Sequence, residues 1–165
     1  MLFRSFLLLF ASVAAIAADL PENRREAAST STMRVHVVRL RPGDDLLGAL
    51  SAYVKRHEIR AAVVITSVGS LQETRLRLAD RPGASAFKGK MEIVSMVGTL
   101  DAGSGHLHLS VSDGRGRTIG GHLLEGCRIY TTAEIAIGEL SGLRFSREKD
   151  EQSGYEELKI DPATK

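Results

Sequence analysis

The sequence predicts an α+β domain, a mainly antiparallel β-sheet with one main helix packed on it. Three observations carry that prediction. Short β-branched runs separated by Gly-rich breaks fill most of residues 34–147, the pattern is almost entirely strand from Met91 onward, and a single stretch after the first strand has helical apolar spacing. A length of 165 residues with 43% hydrophobic and 25% charged residues suits one domain and leaves little room for a second. The single cysteine, Cys127, cannot form an intrachain disulfide, so the core alone must hold the fold.

The elements follow in order. Met1 to Arg4 is a short basic start, Phe6 to Ile16 is apolar, and Ala15-Ile16-Ala17 has the small-x-small pattern of a signal-peptidase site, so residues 1–17 read as a signal peptide or targeting leader. That reading implies a secreted or periplasmic protein. A mitochondrial presequence, or translation from Met33 and a cytosolic location, are the alternatives. The apolar run is too short for a membrane span, so no stable membrane anchor is expected. Residues 18–32 read as a linker, residues 33–147 as the folded domain and residues 148–165 as a charged C-terminal tail lying over the surface, with Tyr155, Leu158 and Ile160 as its anchors.

Within the domain, residues 34–40 form a first strand ended by Arg41-Pro42-Gly43. Asp44 is positioned to cap a helix, and Leu46, Leu47, Leu50, Tyr53 and Val54 recur at helical spacing through about His57, with Lys55 and Arg56 at the dipole's negative end. Residues 61–68 are a nearly continuous apolar strand that Gly69-Ser70 breaks. Leu76 and Leu78 alternate with Arg75 and Arg77 in the next strand, and strands follow at 91–100, 105–112, 117–125, 128–140 and 143–147.

Chemistry concentrates in one window. His106 and His108 stand at i and i+2 of a strand, so both side chains leave the same face while Leu107 and Leu109 leave the other. The position of His122 depends on the hairpin between. Asp113-Gly114-Arg115-Gly116-Arg117 fits a three-residue connection with Gly116 left-handed in a bulge, a register that sets His122 directly across from His108. A two-residue loop would instead turn His122 away. Three neutral imidazoles from neighbouring strands are a zinc ligand set, and three protein ligands leave a fourth position for water. Gly120 and Gly121 remove side chains that would crowd such a metal. The alternative is three polar residues on a half-exposed face. His36 and His57 read as structural.

The remaining candidates are weaker. Glu92, Glu125 and Glu134 lie in strand-like segments, and any of them could support a metal or accept a proton; Glu125 is the weakest, on the opposite face from His122. Gly114-Arg115-Gly116-Arg117 resembles the core of an AT-hook but lacks the Pro and basic flanks of one. With 22 Lys+Arg against 20 Asp+Glu, the net charge of +2 argues against a dedicated nucleic-acid binder.

Residues 89–100, the run Gly105-His106-Leu107-His108-Leu109-Ser110-Val111-Ser112-Asp113, and Gly120-Gly121-His122-Leu123 resemble the plants-and-prokaryotes conserved (PPC) domain. Arg39-Leu40-Arg41-Pro42-Gly43-Asp44 and Ile65-Thr66-Ser67-Val68-Gly69-Ser70-Leu71 agree with it. The resemblance is to the stand-alone prokaryotic type, related to the domain of plant AT-hook nuclear-localised proteins, and covers about residues 33–160. It implies a homotrimer and a partner-contact segment at Gly89, Lys90, Met91, Glu92, Ile93 and Val94, where Lys90 and Met91 depart from the plant Gly-Arg-Phe-Glu-Ile-Leu motif. It also implies a metal site at His106, His108 and His122, with Zn²⁺ as cofactor. The expected function is therefore a non-catalytic homotrimeric binding and assembly module that holds a metal or small-molecule ligand near a subunit boundary. A zinc-dependent, hydrolase-like enzyme is the alternative, and a DNA-associated regulatory protein a weaker one.

Overall fold

In the computed structural model, which describes residues 29–103 and 105–163, the first element is strand β1 (Met33–Leu40) and the second is helix α1 (Leu46–Arg56). Seven more strands follow: β2 (Ala62–Arg77), β3 (Ala84–Leu100), β4 (Gly105–Asp113), β5 (Thr118–Leu123), β6 (Arg128–Leu140), β7 (Leu143–Lys149) and β8 (Glu156–Pro162). The fold is the expected antiparallel sheet with one helix. Residues 1–17 and most of the 18–32 linker lie outside the described residues. Among the described residues no helix is long and apolar enough to cross a membrane.

Helix α1 forms where its apolar spacing predicts and buries Leu46, Leu50 and Val54 completely. Its N-cap is Asp45, not Asp44: the Asp45 carboxylate accepts from Gly48 N at 2.9 Å, satisfying one of the free amides of the first turn. Asp44 instead accepts from Arg41 N at 2.8 Å and holds the turn that precedes the helix.

The main sheet runs β1-β6-β2-β3-β4-β5, and β5 also pairs with β2, so β2, β3, β4 and β5 close into a small ring. The closing seam is two residue pairs, Leu76↔Leu123 and Arg77↔His122. Leu76, Met96, Leu100, Leu107, Leu109 and Leu123 are essentially fully buried in the core.

Two elements differ from the sequence reading. Gly69-Ser70 does not end a strand, because β2 runs from Ala62 to Arg77 with register shifts on both sides of Leu71. Gly69 sits at φ +145°, and any Cβ there would run into the carbonyl of Thr132 on β6, so the glycine serves a close strand crossing. The second difference is the C-terminal segment. Residues 156–162 are strand β8, paired along its length with β7, rather than an irregular tail. Of its expected anchors, Leu158 packs against the small cluster of Ala61, Leu143 and Phe145, whereas Tyr155 and Ile160 are exposed. Phe145 N donates to Arg60 O at 2.9 Å and Arg147 reaches Thr99 Oγ1 at 3.2 Å, which fixes the hairpin against the ring.

Candidate metal centre

The β4–β5 hairpin has the register that its loop predicts. His108 pairs with His122, Leu109 with Gly121, Ser110 with Gly120 and Ser112 with Thr118. Gly116 is left-handed at φ +77°, Gly116 N donates to Asp113 O and Asp113 N to Arg117 O. The Asp113 carboxylate accepts from the amides of Arg115 and Arg117 and from Arg117 Nε at 2.8 Å. These bonds hold its carboxyl below the usual carboxylate range, with Arg117 the leading cause. The Gly-Arg-Gly-Arg stretch is therefore the tip of a hairpin, with Arg117 ion-paired to Asp113 at 2.6 Å.

The same register gathers the three imidazoles on the outer face of the ring. Leu107 and Leu109 are buried, His106 and His108 are exposed and His122 is half-buried. Ring centroids are 5.1 Å apart for His106 and His108, 5.0 Å for His106 and His122, and 5.7 Å for His108 and His122. Nε2 of His106 lies 3.3 Å from Nε2 of His108, and each of the three residues offers a nitrogen within 4.8 Å of the others. Nδ1 of His122 is buried and has no hydrogen-bond partner among the described residues.

The surroundings favour neutral rings. Burial, then the positive charge of Arg77, lowers the pKa of His122 from 6.5 to about 4; burial, then the neighbouring His108, lowers that of His106. Both shifts favour the neutral imidazole form that a metal needs at His106 and His122.

Closure of the ring adds what the linear pattern did not reveal. Arg77 stands directly across from His122, so its side chain leaves the same face, and one sheet row reads Val97, His108, His122, Arg77 across β3, β4, β5 and β2. The β7–β8 hairpin supplies a further wall. A cleft of about 470 Å³ is bordered by Arg77, His106, His122, Arg147, Tyr155 and the glutamates Glu156 and Glu157, and a second depression of about 300 Å³ joins His106 and His108 to Val97, Arg147 and Glu157.

Glu92, Glu125 and Glu134 line neither cleft. Glu92 pairs with Ser70 and Ser112, and Glu134 with Arg39 and Val68, away from the imidazoles. Glu156 and Glu157 are the carboxylates that sequence reasoning missed, in a segment whose charges hid its strand; of the two, Glu157 borders both depressions. The glycines also have backbone roles. A Cβ on Gly121 would lie 2.7 Å from Arg77 O, so Gly121 serves the β2–β5 contact, and one on Gly120 would approach Leu109 O at 3.3 Å. Gly98, at φ +139°, admits the carbonyl of His106 where any side chain would collide with it.

The other singled-out residues lie elsewhere. His36 donates or accepts at Tyr53 Oη and at Glu139 Oε2, both 3.0 Å away, and His57 packs on the Tyr53 ring at 4.3 Å. In the segment 89–94 on β3, Ile93 is in the core, Lys90 lies over the Tyr130 ring at 4.4 Å and Val94 is exposed. Cys127 is buried against the backbone of Arg75, and burial pushes its thiol up to about 11, so it is inert at neutral pH.

A ring of antiparallel strands bearing a three-histidine face is the class of protein in hand. The chain belongs to the Plants and Prokaryotes Conserved (PCC) domain family, the PPC family of the sequence analysis, whose family model matches residues 27–141. It is 42% identical over 138 residues, 84% of its length, to a "Bifunctional protein GlmU" of Synechococcus sp. (strain JA-3-3Ab), and spans about a fifth of that relative, 22%. A hypothetical protein from Salmonella enterica is similar with a TM-score of 0.82 and 40% identity, over 82% of this chain and 99% of that one. A metal-containing protein from Archaeoglobus fulgidus shares the fold with a TM-score of 0.67 at 22% identity, over 78% of this chain and 97% of that one.

Proposed function

We propose that this chain is a non-catalytic homotrimeric binding and assembly module with a three-histidine zinc site on each subunit, near a subunit boundary. The observation that carries the reading is the convergence of His106, His108 and His122, one of them with a buried, unpartnered Nδ1. The donor set fits the ion. Tetrahedral zinc with bonds of about 2.0–2.1 Å sets its ligand nitrogens roughly 3.3 Å apart. His106 and His108 already have that spacing, and a nitrogen of His122 lies within 4.8 Å of theirs. When bound, such an ion supplies Lewis acidity and an open coordination position.

Assembly is supported by the apolar face of the sheet. Val35 and Val37 on β1, Ile65 and Val68 on β2, and Val94 and Val97 on β3 are large, hydrophobic and exposed, more apolar surface than scattered single residues would give. Val97 also borders the histidine depression, so a subunit covering this face would come up to the site.

Elemental mass spectrometry on untagged protein, with light-scattering mass, tests both halves. About one zinc per chain in a trimer is expected, with His106→Ala/His122→Ala losing the zinc and keeping the mass. An intact trimer without metal after zinc is offered overturns the site, and a monomer overturns the assembly.

Glu157 favours a second reading, a zinc-dependent hydrolase-like enzyme, because it gives the cleft a carboxylate able to accept a proton. Zinc-dependent turnover of ester, phosphoester or lactone substrates, lost in His108→Ala, would replace the module reading with it.

A further inference from the structure

Arg77 and Arg147 border the same cleft as His106 and His122, yet neither forms an ion pair with the glutamates that share it. Among the described residues the Arg77 side chain makes no hydrogen bond or ion pair, and that of Arg147 is bonded to a neutral hydroxyl, Thr99 Oγ1. The contrast lies on the same hairpin. Arg144 pairs with Asp161 at 3.1 Å and Lys159 with Glu148 at 2.7 Å, while Arg147 forms no ion pair with Glu157, although both line the cleft. The cleft thus carries two guanidinium groups that form no ion pair, Arg77 on β2 at the ring seam and Arg147 on β7, together with two carboxylates, Glu156 and Glu157, on β8.

We infer that this cleft takes a small organic oxyanion, a carboxylate or phosphate ester, gripped by Arg77 and Arg147 beside the three histidines. The planar fork of a guanidinium matches both oxyanions with paired N–H donors. A volume of about 470 Å³ suits a metabolite-sized molecule. Tyr155, exposed at the rim, offers a flat apolar surface to the rest of such a molecule. Glu156 and Glu157 on the remaining wall disfavour a second negative group at that end, so the anion is bound in one orientation, acidic group toward the arginines. The inference rests on the proposed metal site only for the far end of the ligand, which would face the imidazoles.

The test separates the two. Cobalt(II) is bound to wild type, Arg77→Gln, Arg77→Lys and Arg147→Gln, and its visible absorption is titrated with inorganic phosphate and, separately, with benzoate. The expected result is equal cobalt uptake by all four proteins and a saturable spectral change that is at least tenfold weaker in both Gln variants, with Arg77→Lys between. Equal affinity in all four overturns the arginine subsite and leaves the metal site standing. If no cobalt binds, the metal reading fails, and NMR of the Arg77 and Arg147 Nε–H groups in the metal-free chain decides the anion site. Saturable shifts at both, with phosphate or benzoate, support it, and no shift overturns it. Preference between the two probes identifies which oxyanion class the cleft serves.

Discussion

His36 and His122 are both half-buried imidazoles on sheet strands, and they differ in what their nitrogens meet. His36 has Tyr53 Oη on one nitrogen and Glu139 Oε2 on the other, each at 3.0 Å, and Arg34 approaches the same carboxylate at 3.6 Å. His122 has a buried Nδ1 with nothing to bond, two more imidazoles about 5–6 Å away and an arginine across the strand. A ring satisfied on both sides is a cross-brace, here tying β1 to α1 and β6. Rings that converge with a buried nitrogen unpartnered among the described residues, and with no other side chain to bond than one another, are arranged for something that is not protein.

The largest effect that sharpens this contrast is metal content. His106→Ala/His122→Ala is expected to fall from about one zinc per chain to none, and His36→Ala to keep its zinc, both read by elemental mass spectrometry. Metal lost equally from both variants would break the comparison. Zinc should next stabilise the wild type against urea by about 2.7 kcal/mol at a free concentration one hundred times its dissociation constant, and the double variant not at all. His36→Ala should lower stability by about 1–3 kcal/mol in the same assay, because it leaves Glu139 and Tyr53 without a buried partner.

Because the His122 ring is only part-buried and solvent screens much of its shift, the smallest expected effect is in the pH dependence of the metal-free chain. His122 titrates at about 4 in the fold against 6.5 when free. Between those values the unfolded chain holds a proton that the folded chain does not. Its contribution to stability is therefore intact above about pH 6.5, declines as pH falls toward 4 and levels off below. Urea unfolding at several pH values, wild type against His122→Gln, checks it: the variant should show the flatter acid limb.

The site was legible in the sequence to the extent that it is local. The H-x-H pair needs only strand periodicity, and the opposition of His108 and His122 follows from one loop, because Gly116 can be left-handed and Asp113 can bond back to Arg115 and Arg117. What escaped is non-local. Arg77 joins the histidines through a seam between strands more than forty residues apart, and no periodicity encodes that. Strand β8 escaped because its apolar alternation is only two residues long, Leu158 and Ile160, in a segment otherwise dominated by charge: Asp161 and Lys159 find opposite charges on β7, which adds to a strand that its apolar residues announce weakly. The cap was misjudged by one residue because two adjacent aspartates can each bond a nearby amide, and only the three-dimensional path assigns Asp45 to the helix.

Two rungs close the ring between β2 and β5, and one of them contains His122. A seam that short is the cheapest backbone pairing to open, so the amides of this six-residue strand will exchange with deuterium ahead of those in β2 or β6. An ion shared by β4 and β5 does not add a rung, but it fixes the ring that carries one. Occupancy then becomes a question of how fast one short strand breathes, readable by deuterium uptake at Thr118–Leu123 in an unlabelled protein with no knowledge of the ligand.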